Sequence, residues 1–238
     1  MRLFTTLALL LPALLLASCA TSCCGGCETG AECQLPAEGG GTAWRSLFDG
    51  ETTTGWRNYG KDDISDGWKV IDGALTMTGG GGDIVTVDTF GDFEFELEWQ
   101  ISEGGNSGIF YNVQAGQDTV WATGPEMQVL DNAKHQDGKN PFTSAGSCYA
   151  LYQPARDVTR PIGEWNQVRI LHADGHVEHW LNGVKLCEFD LGSEEWNRLV
   201  KASKFSSMSE FGKYRTGHIA LQDHSDWVAY RNIRIREL

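Results

Sequence analysis

The chain has 238 residues, of which 41% are hydrophobic and 21% charged, which is enough for one large domain with a buried core. It contains 29 glycines against six prolines and is rich in aromatic residues, a composition that favours short strands and tight turns over long helices. The formal net charge of −13 argues against nucleic acid and anionic membrane surfaces as partners, because phosphate binding requires clustered Lys and Arg.

The amino-terminal segment, residues 1–18, has the pattern of a secretory signal peptide: one basic residue, an apolar run and then small residues. The sequence Leu16-Ala-Ser-Cys19 resembles a bacterial lipobox, which predicts cleavage before Cys19 and lipid attachment to it. Ordinary secretion, with Cys19 as a plain thiol, is the alternative. We therefore expect a protein of the bacterial cell envelope, periplasmic or on the outer surface, held to the membrane by acyl chains alone.

Residues 19–43 are rich in Gly, Ala, Ser and Glu and cannot bury a core, so they predict a tether. Local disulfides are one alternative for its cysteines, and a metal site is a weaker one, because the spacing lacks paired CxxC motifs. Inside the domain two further cysteines could pair or stay buried. The cysteines concerned are Cys23, Cys24, Cys27 and Cys33 in the tether, and Cys148 and Cys187 in the domain.

Residues 44–238 show regular turn signals that predict about ten short strands. Asp72-Gly73, Asp174-Gly175 and Asn182-Gly183 are hairpin turn pairs. The run Phe93–Gln100 alternates strictly between apolar and polar residues, as a half-buried antiparallel strand does. Only the segment that begins with Ser193 as N-cap is typical of a helix. The predicted fold is an all-β two-sheet sandwich or jelly roll with one short helix.

Two of these strands present polar side chains opposite their apolar ones: Glu126 and Gln128 in one strand, and His218, Gln222 and His224 in the other. If the strands share a sheet, these side chains converge. An ordinary solvated sheet face is the alternative. The residue types favour a sugar site, because His and Gln give directional hydrogen bonds and Lys and Arg are sparse nearby.

Loops and strand ends supply further candidates. Asn106 follows a Gly-Gly pair, and Asp131 ends a strand in a polar loop. Asp131, with Asn132 and Asp137, could ligate calcium, although turn formation is the stronger interpretation because no EF-hand spacing is present. Lys204 could offer a cation to an oxyanion or could complement a helix dipole.

Two Trp-containing pairs, Trp165-Asn166 and His179-Trp180, are either aromatic platforms or core, and for the Trp residues we expect core. The sequence contains no GxSxG elbow, Walker loop, HExxH motif or dinucleotide fingerprint, which removes several large classes of enzyme.

The ordered segments of the domain resemble the 3-keto-disaccharide hydrolase family, long called domain of unknown function 1080, over about residues 44 to 238. The resemblance implies a concanavalin A-like β-sandwich, a secreted or envelope location in glycan-using bacteria, and action on sugars oxidised at C3. The segments that carry it include "SLFDGETTTGW", "WKVIDGALT", "FGDFEFELEWQIS", "NSGIFYN", "ATGPEMQVLDN", "GEWNQVRI", "VEHWLNGVKL", "KASKF", "GHIALQDHSD" and "RNIRIREL".

A ketone at C3 acidifies the hydrogen on C2, so a base can form an enolate, the C1 substituent can leave by β-elimination, and water can add back. This route needs a base near neutrality, a donor to the enolate oxygen and an acid for the leaving group. We predict His224 and Glu126 as the acid/base pair and Lys204 as a cation for the enolate. The predicted substrate contacts are Asn106, Gln128, Asp131, Gln222 and Asp223, with His179 and His218 in reserve.

A direct two-carboxylate mechanism would instead pair Glu126 with Asp223 or Asp131. No cofactor is predicted, although a divalent metal is left open. The expected partners are a saccharide substrate and an upstream nicotinamide-dependent sugar 3-oxidoreductase. Two rival functions remain at this point: a non-catalytic carbohydrate-binding module on the same sandwich, and a surface scaffold without affinity for saccharides.

Overall fold

The computed structural model describes residues 42–238. The predicted signal peptide, the lipidation site Cys19 and nearly all of the predicted tether with its four cysteines lie outside the described residues. In the described part of the chain no helix is both long and apolar enough to span a membrane. Cys148 and Cys187 are both free thiols, so the disulfide that the sequence left open between them is not formed.

Residues 42–238 fold into two antiparallel sheets. The larger sheet has eight strands within this range, in the spatial order β11 (Val184–Asp190), β10 (His176–Leu181), β9 (Asn166–Ala173), β6 (Phe93–Ile101), β13 (Val228–Glu237), β4 (Ala74–Met77) and β3 (Trp68–Ile71), with β1 (Arg45–Ser46) paired to β13. The smaller sheet has five in the same range, in the order β2 (Trp56–Asn58), β5 (Ile84–Thr86), β12 (His218–Leu221), β7 (Asn106–Val113) and β8 (Glu126–Leu130).

The core lies between the two sheets and follows from the two-residue period of the strands. In β6 the apolar set Phe93, Phe95, Leu97 and Trp99 is buried, and the intervening glutamates lie on the opposite face. In β8 Met127 and Val129 join the same core. The predicted all-β two-sheet sandwich is confirmed, and these residues contain a single α-helix.

The predicted hairpin turns connect neighbouring strands. Asp72 and Gly73 join β3 to β4 with φ angles of 51° and 75°, and both values lie in the left-handed region that type I′ turns require. Asp174-Gly175 and Asn182-Gly183 turn in the same way on either side of β10.

The helix, α1 (Glu194–Ala202), begins after Ser193, whose side chain accepts a hydrogen bond from the backbone N–H of Trp196 at 3.1 Å. It ends before Lys204, which starts a separate 3₁₀ turn, Lys204–Ser207.

A long segment between β8 and β9 covers the outer face of β8. It contains the 3₁₀ turns Gln136–Lys139 and Pro141–Thr143 and returns along the sheet edge. The backbone of Gln128 binds this segment twice, donating to Ser147 O at 3.2 Å and accepting from Gly146 N at 2.8 Å. The segment therefore forms one wall above β8.

Candidate active site

Glu126 lies on the outer face of the smaller sheet, the face opposite the core. In the sheet register Phe110 of β7 pairs with Glu126 on one side and with Ala220 of β12 on the other. Directly opposite residues of an antiparallel pair share a face, so the three side chains lie on the same side. The strands β8 and β12 thus share a sheet, as the convergence of their polar side chains requires.

The Glu126 carboxyl is buried against the sheet itself. A Cβ atom built on Gly108 would lie 2.9 Å from Cδ of Glu126, so the carboxyl occupies the space that a glycine leaves. The side chain is only 9% exposed. Burial raises the pKa of Glu126 to about 8; the carboxylates of Asp83 and Asp137 act in the same direction, and the Lys204 ammonium opposes them. Glu126 is therefore protonated at neutral pH.

The ammonium group of Lys204, in the 3₁₀ turn after α1, lies near enough to the Glu126 carboxyl to lower its pKa. Its Nζ lies 4.1 Å from the ring centroid of Tyr149. Loss of hydration there lowers the pKa of Lys204, whereas the nearby carboxyls of Glu126 and Asp137 act to raise it. The Tyr149 hydroxyl donates to Oδ2 of Asp137 at 3.3 Å. Tyr149 and Asp137 both belong to the segment that covers β8.

A second carboxyl with a raised pKa, Asp83, lies at the start of β5. Burial raises the pKa of Asp83 to about 6 and the Asp223 carboxylate adds to this, while a hydrogen bond from the Asp223 backbone and the nearby His224 counteract it. The backbone N–H of Asp223 donates to Oδ1 of Asp83 at 3.0 Å. The Asp223 side chain in turn accepts from the backbone N–H of Gly82 at 2.7 Å.

His224 lies in the exposed loop after β12, near enough to Asp83 to lower the pKa of that carboxyl. Its ring is 6.4 Å from the ring of His135, centroid to centroid, in an edge-to-face arrangement. His135 belongs to the segment that covers β8. The two imidazoles therefore connect the loop after β12 to the segment that covers β8.

An open hollow of about 350 Å³ adjoins Asp83, within the range of about 300–1,000 Å³ common for ligand sites. The aromatic rings of Tyr59 and Trp121 line it together with Lys61 and Asp118. A sugar ring can pack against a flat aromatic ring that lies beside an acid/base group. We call the set Asp83, Glu126, Lys204, His224 and this hollow the candidate active site.

Several predicted site residues lie elsewhere, and the clearest correction is His179. It is 0% exposed between the two sheets, where its Nε2 lies 3.1 Å from the hydroxyl of Tyr111. Burial lowers the pKa of His179 to about 4, so it is a neutral core residue. The prediction that His179 contacts substrate is wrong, because β10 turns this side chain inward.

Gln128, Asn106 and Asp131 are buried beneath or beside the covering segment, with exposures of 1%, 5% and 6%. Gln128 Nε2 donates to Thr143 O at 3.1 Å. Asp131 accepts backbone N–H groups of Gly104 and Ala133, which supports the turn interpretation of this loop. None of the three offers an open surface to a sugar, so their predicted contacts with substrate are not supported.

His218 and Gln222 lie at opposite ends of β12. The ring of His218 is held by the backbone O of Asp88, 3.1 Å from Nδ1, away from Glu126. Gln222 donates its backbone N–H to Gly108 O at 3.0 Å, directly beside the glycine under Glu126. Gln222 and Asp223 are therefore near the candidate active site, and His218 is not.

Asp83, His135, Tyr149 and Trp121 were not among the predicted site residues. A usable signal existed only for Asp83, which follows the run Gly79–Gly82 and precedes a strand, where a backbone can approach a ligand closely. The other three lie in loops whose position depends on the strand order.

A group of side chains with the spacing of metal ligands lies on the other sheet. Among residues 42–238, His176, Glu178 and Glu188 form the one group whose ligand atoms meet the spacing for a shared ion. They lie on β10 and β11 of the larger sheet, and Lys185 Nζ already bonds both glutamates, at 3.1 and 2.5 Å. A divalent metal at the candidate active site stays open, as it was from the sequence.

Sequence comparison places the chain in a known family. A sequence model of the 3-keto-α-glucoside-1,2-lyase-like domain matches residues 43–236. The chain belongs to this family. It is 36% identical over 237 residues to the 3-keto-disaccharide hydrolase of Bacteroides thetaiotaomicron, with 86% of this chain and 81% of that protein covered. The family resemblance predicted from the sequence is confirmed, and the protein is an enzyme of glycoside cleavage.

Solved structures agree with this assignment. A candidate glycosyl hydrolase of Parabacteroides distasonis is 37% identical, with a TM-score of 0.77 over 82% of this chain and 94% of that one. A second protein from the same organism, also a candidate glycosyl hydrolase, is 27% identical with a TM-score of 0.64 over 83% of this chain and all of that one. A Bacillus subtilis protein with a galectin-like fold, 12% identical with a TM-score of 0.55, covers 84% of this chain and 96% of that one and supports the sandwich fold alone.

The raised pKa of Glu126 makes stability depend on pH. The folded protein binds this proton more tightly than the unfolded chain, whose carboxyl has the ordinary value of 4.5. The stabilisation is complete below pH 4.5 and is lost as the pH rises towards 8. We expect Glu126→Gln to remove this pH dependence. Between pH 5 and 8 the free energy of unfolding of wild type should therefore fall relative to that of the variant, by at most about 1.4 kcal/mol for each unit by which the Glu126 pKa is raised.

Urea unfolding at a series of pH values measures this difference. Glu188→Gln, a change at a glutamate of the other sheet, is the matched control and should follow wild type. Parallel curves for wild type and Glu126→Gln would contradict the buried, protonated carboxyl.

Gly108→Ala should displace the Glu126 carboxyl, because the new methyl group would occupy its position. We expect glycoside cleavage to slow by about tenfold or more, with the fold retained. A double-mutant cycle on steady-state rates tests the cause: in the Glu126→Gln background the same change should add little. Additive losses would show that Gly108 acts through some other group.

Proposed function

We propose that this enzyme cleaves 3-keto-disaccharides or 3-keto-glucosides by β-elimination and hydration, with net hydrolysis of the glycosidic bond. The supporting observation is that two carboxyls of the same sheet, of which Asp83 raises the pKa of Glu126 through its charge, have pKa values of about 6 for Asp83 and about 8 for Glu126. Between those values one group is an ionised base while the other is still an acid. Pairs of acids separated in this way are the usual basis for assigning opposite roles.

Asp83 is the proposed base. Its partial burial raises its basicity above that of an exposed carboxylate, and it lines the hollow beside Trp121. With a 3-keto-sugar in the hollow, Asp83 takes the proton from C2, and the electron pair of that C–H bond forms the enolate across C2 and C3. The ketone makes this proton acidic enough for a carboxylate near neutral pH.

Glu126 and Lys204 complete the elimination. The Lys204 ammonium stabilises the charge that develops on the C3 oxygen. Glu126, protonated at neutral pH, gives its proton to the glycosidic oxygen as the bond from C1 to that oxygen breaks. The enolate electrons form the C1–C2 double bond, and the ketone at C3 is restored. Water then adds at C1 and a proton returns to C2, which gives the free 3-keto-sugar.

His224 has a different proposed role from the one that the sequence suggested. It is exposed and its charge lowers the pKa of Asp83, so it tunes the base rather than replacing it. It also closes the site towards His135. The acid/base pair that we propose is therefore Asp83 with Glu126, in place of His224 with Glu126.

We further propose that the enzyme works in the bacterial cell envelope, lipid-anchored through Cys19, on sugars that a separate nicotinamide-dependent oxidoreductase has oxidised at C3. The support for the location is the lipobox-like sequence at residues 16–19. The support for the oxidation step is chemical, because the elimination requires a ketone that ordinary disaccharides lack.

Asp83→Asn and Glu126→Gln should each slow release of the aglycone from a 3-keto-glucoside by about 100-fold or more, because each removes one proton-transfer group. His224→Ala should shift the pH profile and reduce the rate less, because it removes only a charge. Product analysis by chromatography, with and without chelator, measures the rates. Glu188→Gln is the control. Full activity of Asp83→Asn would disprove the assignment of the base.

The route through an enolate also predicts isotope exchange. In deuterated water the released 3-keto-sugar should carry deuterium at C2, because the C2 proton is removed and replaced during turnover. Direct displacement at C1 by two carboxylates leaves C2 untouched. Mass spectrometry and NMR of the product, taken at early times to limit exchange in solution, distinguish the two. Product without deuterium would rule out elimination.

A further inference from the structure

A groove of about 700 Å³ lies on the outer face of the larger sheet, the face opposite to the core and away from the candidate active site. It runs across β13, β6, β9 and β10. We call it the tryptophan groove after two of its lining residues. The residues that matter to its chemistry are Trp44, Glu96, Glu98, Arg169, Trp180 and Arg234.

The charges in and beside this groove cancel each other. Arginines of β13 stand opposite glutamates of β6 in the sheet register, and each pair forms an ion pair: Arg231 with Glu98, Arg234 with Glu96, and Arg236 with Glu94. From the other side Arg169 of β9 also binds Glu94. The face is thus dense in fixed hydrogen-bonding groups but has little net charge, which suits a neutral ligand better than an ionic one.

Tryptophan rings pack against the arginines of these ion pairs, and this packing fixes the position of the rings. The guanidinium of Arg169 lies 5.0 Å from the ring centroid of Trp180, and that of Arg234 lies 4.5 Å from the ring centroid of Trp44. The indole N–H of Trp180 donates to Glu178 at 2.8 Å. Both rings are half-buried, so part of each stays accessible.

Trp165 repeats the arrangement at the end of the same face, with the guanidinium of Arg231 at 4.0 Å from its ring centroid. The expectation that Trp165 and Trp180 belong to the core is therefore wrong. Fixed aromatic rings lose little conformational entropy when a ligand binds, and they offer flat apolar surface to the C–H faces of pyranose rings.

We propose that the tryptophan groove is a second saccharide-binding site that takes a neutral oligosaccharide and is separate from the site of bond cleavage. Its position on the opposite sheet lets it hold a glycan chain while the candidate active site acts on another sugar. The proposal does not depend on the mechanism of cleavage, because it concerns binding alone.

Isothermal titration tests it with neutral hexasaccharides, one each of α-1,4-, β-1,4- and β-1,3-linked glucose, added to the Glu126→Gln protein. We expect at least one to bind at millimolar or lower concentration, and Trp180→Ala to weaken that binding by about tenfold or more. Trp227→Ala, at an exposed tryptophan outside the groove, is the matched control and should bind as before. Cleavage of a small 3-keto-glucoside should be unchanged in Trp180→Ala made in the wild-type background.

A second measurement covers the case in which Trp180→Ala does not fold. In the Glu126→Gln protein the indole N–H signals of Trp44 and Trp180, assigned by substitution with Phe, should shift when the bound hexasaccharide is added. Absence of binding by all three sugars would overturn the proposal, and so would binding that leaves both signals unmoved. Loss of small-substrate cleavage in a folded Trp180→Ala protein would also contradict it, because the two sites would then not be separate.

Discussion

The candidate active site depends on the burial of one carboxyl, that of Glu126, against the backbone of its own sheet. A buried acid with no guanidinium partner keeps its proton, because the low-dielectric surroundings disfavour the charged form. Gly108 makes this burial geometrically feasible, since any side chain there would fill the space of the carboxyl. The Lys204 ammonium limits the rise in pKa, which leaves an acid that still ionises at about pH 8.

The pKa values of carboxyl groups shift in opposite directions on the two outer faces of the sandwich. On the larger sheet burial would raise the pKa of Glu94, but hydrogen bonds from Arg169 and Arg236 hold it below the ordinary value. On the smaller sheet Asp83 and Glu126 have no arginine among the groups that shift their pKa values, and both values rise. Paired charges make the first face a fixed polar surface suited to binding. Carboxyls that are desolvated and have no arginine partner keep raised pKa values on the second face, as proton transfer near neutral pH requires.

Local features of the fold could be predicted because their causes are local. Asp72-Gly73 turns a hairpin, Ser193 caps α1, and the alternation around Glu126 turns that side chain away from the core. The order of strands within a sheet is not local, and it decides which residues meet. Asp83 and Glu126 belong to the same sheet only because β12 and β7 connect β5 to β8. His179 has the same alternating pattern as a surface residue, yet β10 directs it inward, and no periodicity could choose between the two faces.

Of the two acids, Asp83 is the one that lines the open hollow, and its pKa is about 6 where that of Glu126 is about 8. The hydrogen bond that the Asp223 backbone donates to Asp83 favours the carboxylate and limits the rise of its pKa to about 6. In the proposed mechanism a sugar that enters between Tyr59 and Trp121 removes water from the Asp83 carboxylate, and this desolvation makes the carboxylate a stronger base. The charge that His224 contributes from the exposed loop opposes protonation of Asp83 by solvent. In that mechanism substrate binding increases the basicity of Asp83, while Glu126, already buried, keeps the proton that the leaving group needs.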